Sequence, residues 1–254
     1  MKPAHNIIGI IPARYKSVRF PGKPLADILG KPMFQHVYER ALKCRLLNQV
    51  ILATDDSRIF NAAQNINIPV VMTSSEHASG TDRVLEAAGI INAAEDSIIV
   101  NIQGDEPLLE PEMLDQLLNP FVSDPEVNIT TLARSLNRNE AKSRNIVKVV
   151  FSRTGKALYF SRNLIPWSDE QISCFAHIGI YAFRMNYLER FNTLDRSRLE
   201  EIEKLEQLRL LEADIPIHVV LTEHVSHGVD TFEDIANVIK IMREKKNNES
   251  YLSP

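Results

Sequence analysis

The first apolar run, residues 7–11, carries no charge and stops at Pro12, which predicts a buried strand of a parallel sheet. A loop rich in Arg, Lys, Gly and Pro follows at 13–31. After Pro32, which a first helical turn tolerates, Met33, Val37, Tyr38 and Ala41 recur at helical spacing. Residues 49–54 predict a second strand, and Asp55, Asp56 and Ser57 offer N-caps for a helix reaching about residue 65. Strands at 69–73 and 97–102 bracket a helix near 82–92. This alternation predicts an α/β fold: a Rossmann-like, mostly parallel sheet with helices on both faces, of the nucleotide-diphospho-sugar transferase type.

The rhythm changes in the middle of the chain. Residues 128–133, 146–151, 156–160 and 177–183 read as strands, and Ser152-Arg153-Thr154-Gly155 reads as a hairpin turn, so antiparallel pairing is expected. Helical periodicity returns at 199–212, a late strand is expected at 217–221, and a closing helix at 232–245 precedes a polar tail expected to fray. The expected organisation is a nucleotide-binding core of 1–118 and 206–254, interrupted by a smaller antiparallel subdomain, 119–205, for sugar binding and dimerisation.

Composition narrows the class. The 254 residues are 44% hydrophobic and 24% charged, ordinary for a globular chain with a substantial core. A net charge of −4, with both signs interspersed, argues against nucleic-acid binding. Cys44 and Cys174 match no metal or disulfide spacing, which suits a reducing compartment. Residues 1–6 lack a signal-peptide layout and no apolar run spans a bilayer, so a cytoplasmic location is expected.

Two places carry candidate chemistry. The loop after the first strand holds Arg14, Arg19 and Lys23, and open parallel sheets bind ligands at the carboxyl ends of their strands. Three cations there suit a triphosphate and its departing pyrophosphate. The loop is neither a Walker A loop, since Pro24 follows Lys23, nor a G-x-G-x-x-G loop, since Gly22 is its only glycine. Its plainer reading, a solvated basic loop, loses ground because of that position. Gln103-Gly104-Asp105-Glu106-Pro107 follows the fourth strand, where a carboxylate can hold Mg²⁺ and Gly104 allows close backbone approach. Asp230, in Gly228-Val229-Asp230-Thr231, offers a second carboxylate; its plainer reading is a helix N-cap, a job that Asp230 or Thr231 could do.

These segments occur in a fixed order with Ser79-Gly80-Thr81-Asp82-Arg83, Tyr159-Phe160-Ser161-Arg162, His177-Ile178-Gly179-Ile180-Tyr181 and Leu205-Glu206-Gln207-Leu208-Arg209. Together they resemble the 3-deoxy-manno-octulosonate cytidylyltransferases (CMP-Kdo synthetases), over residue 7 to about residue 240. The resemblance implies that Arg14, Ser17, Arg19 and Lys23 hold the phosphates of CTP, with Arg83 and Gln103 also on the nucleotide side. It implies that Gln103, Arg162, His177, Tyr181, Glu206 and Gln207 line the sugar site, that Asp105 and Asp230 hold Mg²⁺, and that Arg14, Lys23, Asp105 and Asp230 are catalytic. A homodimer follows from the same resemblance. Arg162 suits a sugar carboxylate and the polar set suits several hydroxyls. Taken singly, Arg162 reads as a surface cation, His177 as a structural histidine, Tyr181 as sheet packing, and Glu206 and Gln207 as a solvated helix face.

Some positions depart from the family pattern: Val18 for a hydroxyl residue, Asp82 for Glu, Ala176 for a basic residue, and a short stretch from 167 to 174. The expected reaction joins CTP to Kdo with release of pyrophosphate, for lipopolysaccharide biosynthesis, and uses no covalent enzyme intermediate. The alternatives are the same reaction on the 8-amino analogue of Kdo or another acidic sugar, and an inactive nucleotide-binding protein. The last is disfavoured because Lys23, Asp105 and Asp230 are all present.

Overall fold

The computed structural model describes residues 5–16, 20–167, 174–225 and 227–252. Ser17, Val18 and Arg19, and the stretch 168–173, lie outside them. The chain opens with β1 (Ile7–Ala13), a short 3₁₀ turn (Lys23–Leu25), and a small hairpin of β2 (Asp27–Ile28) and β3 (Lys31–Pro32). Then come α1 (Met33–Ala41), β4 (Gln49–Thr54), α2 (Ser57–Asn65), β5 (Val70–Met72), α3 (Gly80–Ile90), β6 (Ile98–Asn101) and α4 (Pro111–Ser123). The middle runs through β7 (Ile129–Leu136), α5 (Arg138–Ala141), β8 (Lys148–Phe151), β9 (Ala157–Ser161) and β10 (Cys174–Arg184). The chain closes with α6 (Met185–Thr193), α7 (Arg198–Glu203), α8 (Leu208–Glu212), β11 (His218–Leu221) and α9 (Phe232–Leu252). The architecture is α/β, with a mostly parallel central sheet and antiparallel pairing in the middle of the chain, as the alternation predicts.

Two compact units form. One comprises Ile8–Asn92, Asn101–Pro111 and Ser226–Pro254. Within it β1 pairs in parallel with β4 (Ile10 opposite Ile51) and β4 with β5 (Leu52 opposite Val70). Ile8, Ile10, Ile11 and Leu52 are buried, as unbroken apolar strands require. A second apolar cluster gathers Phe20, Ile28, Met33, Leu108, Val229 and Val238. The other unit comprises Met1–Ile7, Ala93–Val100 and Glu112–Val225. There β7 pairs in parallel with β11 and antiparallel with β10, while β8 pairs antiparallel with β10 and β9. The β8–β9 turn is the expected one, closed by the Gly155 N–H on the Ser152 carbonyl at 3.0 Å, with Gly155 at φ 82°.

The cap expected among Asp55, Asp56 and Ser57 forms. Asp56 caps α2, its carboxylate accepting from the Arg58 N–H at 2.9 Å. Several elements differ from expectation. α4 and α6 were not foreseen. The single helix expected at 199–212 is two, because Lys204 turns left-handed at φ 56° and ends α7. The closing helix runs to Leu252, since no Gly or Pro interrupts 232–253.

Candidate active site

The loop after β1 returns on itself: the Gly22 N–H donates to the Tyr15 carbonyl at 2.9 Å, and the Arg58 guanidinium lies 3.3 Å over the Tyr15 ring. Lys23 starts the 3₁₀ turn and reaches inward. Its ammonium donates to Asp105 Oδ2 and to the Val229 carbonyl, both at 2.7 Å, and lies 3.6 Å from Asp230 Oδ1. The Asp105 carbonyl accepts from the Val229 N–H at 2.9 Å, so the segments carrying the two carboxylates are joined through their backbones. Gly104 is required here: a Cβ on it would stand 2.5 Å from the Pro12 carbonyl oxygen.

Asp230 does not cap α9. Thr231 and Asp234 form that cap together. Asp234 Oδ2 accepts from the Asp230 and Thr231 N–H groups at 2.9 and 2.8 Å, and the Thr231 hydroxyl accepts from the Asp234 N–H at 3.4 Å. These bonds hold the Asp234 carboxyl below the usual carboxylate range, the one from the Asp230 N–H most of all. The Asp230 side chain is thereby left directed at Lys23.

A cavity of about 220 Å³ collects Arg14, Lys23, Arg83, Gln103, Asp105 and Asp230, with His77, Ser79 and Gly80 from the approach to α3. Ser79 caps α3 in a reciprocal box with Asp82. Arg83 borders the cavity but is almost fully buried, and its guanidinium is committed to Asp55 at 2.9 Å, the Thr73 hydroxyl at 2.5 Å and the Ser74 carbonyl at 3.3 Å. The remaining expected nucleotide residues, Ser17 and Arg19, lie outside the described residues.

The expected sugar residues other than Gln103 belong to the other unit. Arg162 is half-buried, and its Nε donates to the Glu203 carbonyl at 3.0 Å, with longer bonds to the Arg144 and Lys204 carbonyls. The Glu203 carboxylate accepts from the Ser161 hydroxyl at 2.6 Å and from the Arg162 N–H at 3.0 Å. Below this knot Lys148 is fully buried, and its ammonium donates to the Ser143, Ile146 and Arg162 carbonyls at 2.8, 2.7 and 2.5 Å. Burial pulls the Lys148 pKa down.

His177 and Tyr181 meet across a bulge in β10. The register against β7 slips between Ile178 and Tyr181, and the Thr131 hydroxyl spans the slip by donating toward the Ile178 and Ile180 carbonyls. The two rings are 5.4 Å apart, and Phe160 meets His177 edge-on at 4.9 Å. His177 Nε2 lies 2.9 Å from the Thr131 hydroxyl, and burial drops the imidazole pKa to about 3. Burial, then the charge of Glu206, raise the Tyr181 phenol. Gln207 is buried, and its Nε2 has no hydrogen-bond partner among the described residues. The turn at Lys204, not a solvated helix face, sets Glu206 and Gln207.

Sequence reasoning passed over Lys148, visible as a lone cation in the apolar run 146–150, and His77 and Glu203, which gave no local signal.

Cations and carboxylates at the carboxyl ends of parallel strands, beside a capped helix N-terminus, suit the phosphates of a nucleotide in an α/β protein. The chain belongs to the cytidylyltransferase family, whose model matches residues 8–217. It is 55% identical to the 3-deoxy-manno-octulosonate cytidylyltransferase of Oleidesulfovibrio alaskensis, over 94% of this chain and 97% of that one. It is 54% identical to the protein of that name from Nitratidesulfovibrio vulgaris, over 96% and 99%. A solved structure of CMP:2-keto-3-deoxy-manno-octonic acid synthetase complexed with CTP superposes with a TM-score of 0.90 at 41% identity, covering 94% of this chain and 99% of that one. The resemblance read from the motifs is borne out.

Proposed function

We propose that this chain activates Kdo with CTP, giving CMP-Kdo and pyrophosphate. Identity of 55% to a 3-deoxy-manno-octulosonate cytidylyltransferase across nearly the whole chain carries this reading. The cluster of Lys23, Asp105 and Asp230 supplies a physical basis for it. The anomeric hydroxyl of Kdo attacks the α-phosphorus of CTP, its proton departs, and the bond to the pyrophosphate oxygen breaks. Negative charge on the phosphates rises along this path, so fixed cations supply the stabilisation. Arg14 and Lys23 serve that purpose in the cavity, with Ser17 and Arg19 assigned to the same phosphates. Gln103 belongs to both nucleotide and sugar. Arg162 holds the sugar carboxylate; His177, Tyr181, Glu206 and Gln207 select its hydroxyls.

Asp105 and Asp230 fit Mg²⁺. Both carboxylates already converge on one ammonium, so a cation's place is built, and the donors are oxygen only. Among the described residues no third His, Cys, Asp or Glu joins them, which suits an ion that completes its shell with water and phosphate oxygens. Bound there, Mg²⁺ supplies charge neutralisation and eases loss of the sugar hydroxyl proton.

The reading extends to lipopolysaccharide biosynthesis in the cytoplasm, where CTP is at hand. Among the described residues no helix is long and apolar enough to cross a membrane. Residues 119–205 are assigned to sugar binding and a homodimer contact, supported by the exposed Leu158, Leu164, Trp167 and Ile202 in that stretch. Sedimentation at micromolar concentration tests the dimer; a monomer alone would refute it. Pyrophosphate release from CTP with Kdo, its 8-amino analogue, sialate and a sugar phosphate tests the reaction. Kdo should be used best, and turnover restricted to another sugar would overturn the reading.

A further inference from the structure

His77 lines the same cavity as Lys23, Asp105 and Asp230, yet none of the roles above uses it. It stands in the loop between β5 and α3, with 21% of its side chain exposed. Its Nε2 lies 2.5 Å from Oε2 of Glu86, on α3, and the same oxygen accepts from the Ser74 N–H at 2.8 Å. Burial pushes the Glu86 carboxyl up, but the Ser74 N–H and His77 outweigh it and hold the group below the usual carboxylate range. An ionised carboxylate only accepts, so the imidazole donates from Nε2, and in the neutral ring Nδ1 carries a lone pair. In that neutral form Nδ1 is the acceptor nitrogen of a residue lining a cavity whose cations are Arg14, Lys23 and the committed Arg83. Phosphates carry only acceptors at neutral pH and gain nothing from it. The nucleoside part carries donors.

We propose that His77 accepts a hydrogen bond from the nucleoside part of CTP, at its 4-amino group or its ribose 2′-hydroxyl, and that Glu86 sets the tautomer that makes this possible. The inference rests on the CTP reading above, and the test separates the two. Calorimetric titration with CTP, UTP and 2′-deoxy-CTP is performed on the wild-type chain, His77→Asn and His77→Gln. A wild-type chain that does not bind CTP sinks the CTP reading and the inference together. Asn carries its amide oxygen where Nδ1 stood, whereas Gln reaches Glu86 but offers nothing at Nδ1. His77→Gln should therefore weaken CTP about tenfold, and His77→Asn less than about threefold. Were the donor the 4-amino group, His77→Gln would leave UTP untouched; were it the 2′-hydroxyl, CTP and UTP would fall together and 2′-deoxy-CTP would be spared. The opposite order of the two variants would assign His77 to holding the loop through Glu86 and overturn the inference. Equal weakening of all three nucleotides would overturn it as well.

Discussion

Lys23 and Arg162 are both half-buried cations, but their partners differ in kind. Lys23 meets Asp105 at 2.7 Å and Asp230 at 3.6 Å, so its charge is answered by carboxylates. The Arg162 guanidinium bonds only backbone carbonyls among the described residues, and the Lys148 ammonium beneath it does the same. Carbonyl dipoles orient a cation without cancelling its charge. The first arrangement suits an exchange of partners, in which a phosphate takes Lys23 as another cation takes the carboxylates. The second sets two cations on backbone carbonyls, with the Glu203 carboxylate held in the same knot by the Ser161 hydroxyl and the Arg162 N–H.

The largest break in this contrast comes from the carboxylates. Asp105→Asn and Asp230→Asn should each lower turnover by about 10²-fold or more with the fold intact, because charge stabilisation in the transition state is lost. Two near-normal variants in saturating Mg²⁺ would refute the shared cation site.

Arg162→Ala should raise the Michaelis constant for Kdo about ten- to a hundredfold and leave that for CTP nearly unchanged, as loss of one charge-assisted bond predicts. Arg162→Lys should recover part of the loss, since an ammonium lacks the bidentate fork. A shift confined to CTP would move Arg162 to the nucleotide side and erase the contrast.

Backbone approach comes next. Gly104→Ala places a Cβ 2.5 Å from the Pro12 carbonyl oxygen, and main chain must move. A loss of about 1–3 kcal/mol in urea unfolding is expected; an unchanged midpoint would mean that the strand ends yield freely.

The smallest effect is the pH dependence of the sugar half. His177 has a folded pKa of about 3 against an ordinary 6.5, so the unfolded chain binds the proton more readily between these values. Its contribution is complete above pH 6.5 and is lost as pH falls toward 3, at about 1.4 kcal/mol per unit for one proton. Between pH 7.5 and 5.5 the wild type should lose about 1 kcal/mol more unfolding free energy than His177→Gln. Equal losses would show that His177 titrates normally.

Strand–helix alternation, the Asp56 cap and the turn at Gly155 were all legible along the chain, because each depends on residues within about four positions of one another. So was the set of motifs that marks the cytidylyltransferase family. What partners the charges was not legible. Lys23 reaches Asp105 across 82 positions and the Val229 carbonyl across 206, and no local pattern says that Asp230 is directed at Lys23. The break at Lys204, the buried Lys148 under Arg162 and the His77–Glu86 pair were likewise decided by packing. Periodicity says which face of an element is buried; only the assembled backbone says which carbonyl or carboxylate waits on that face.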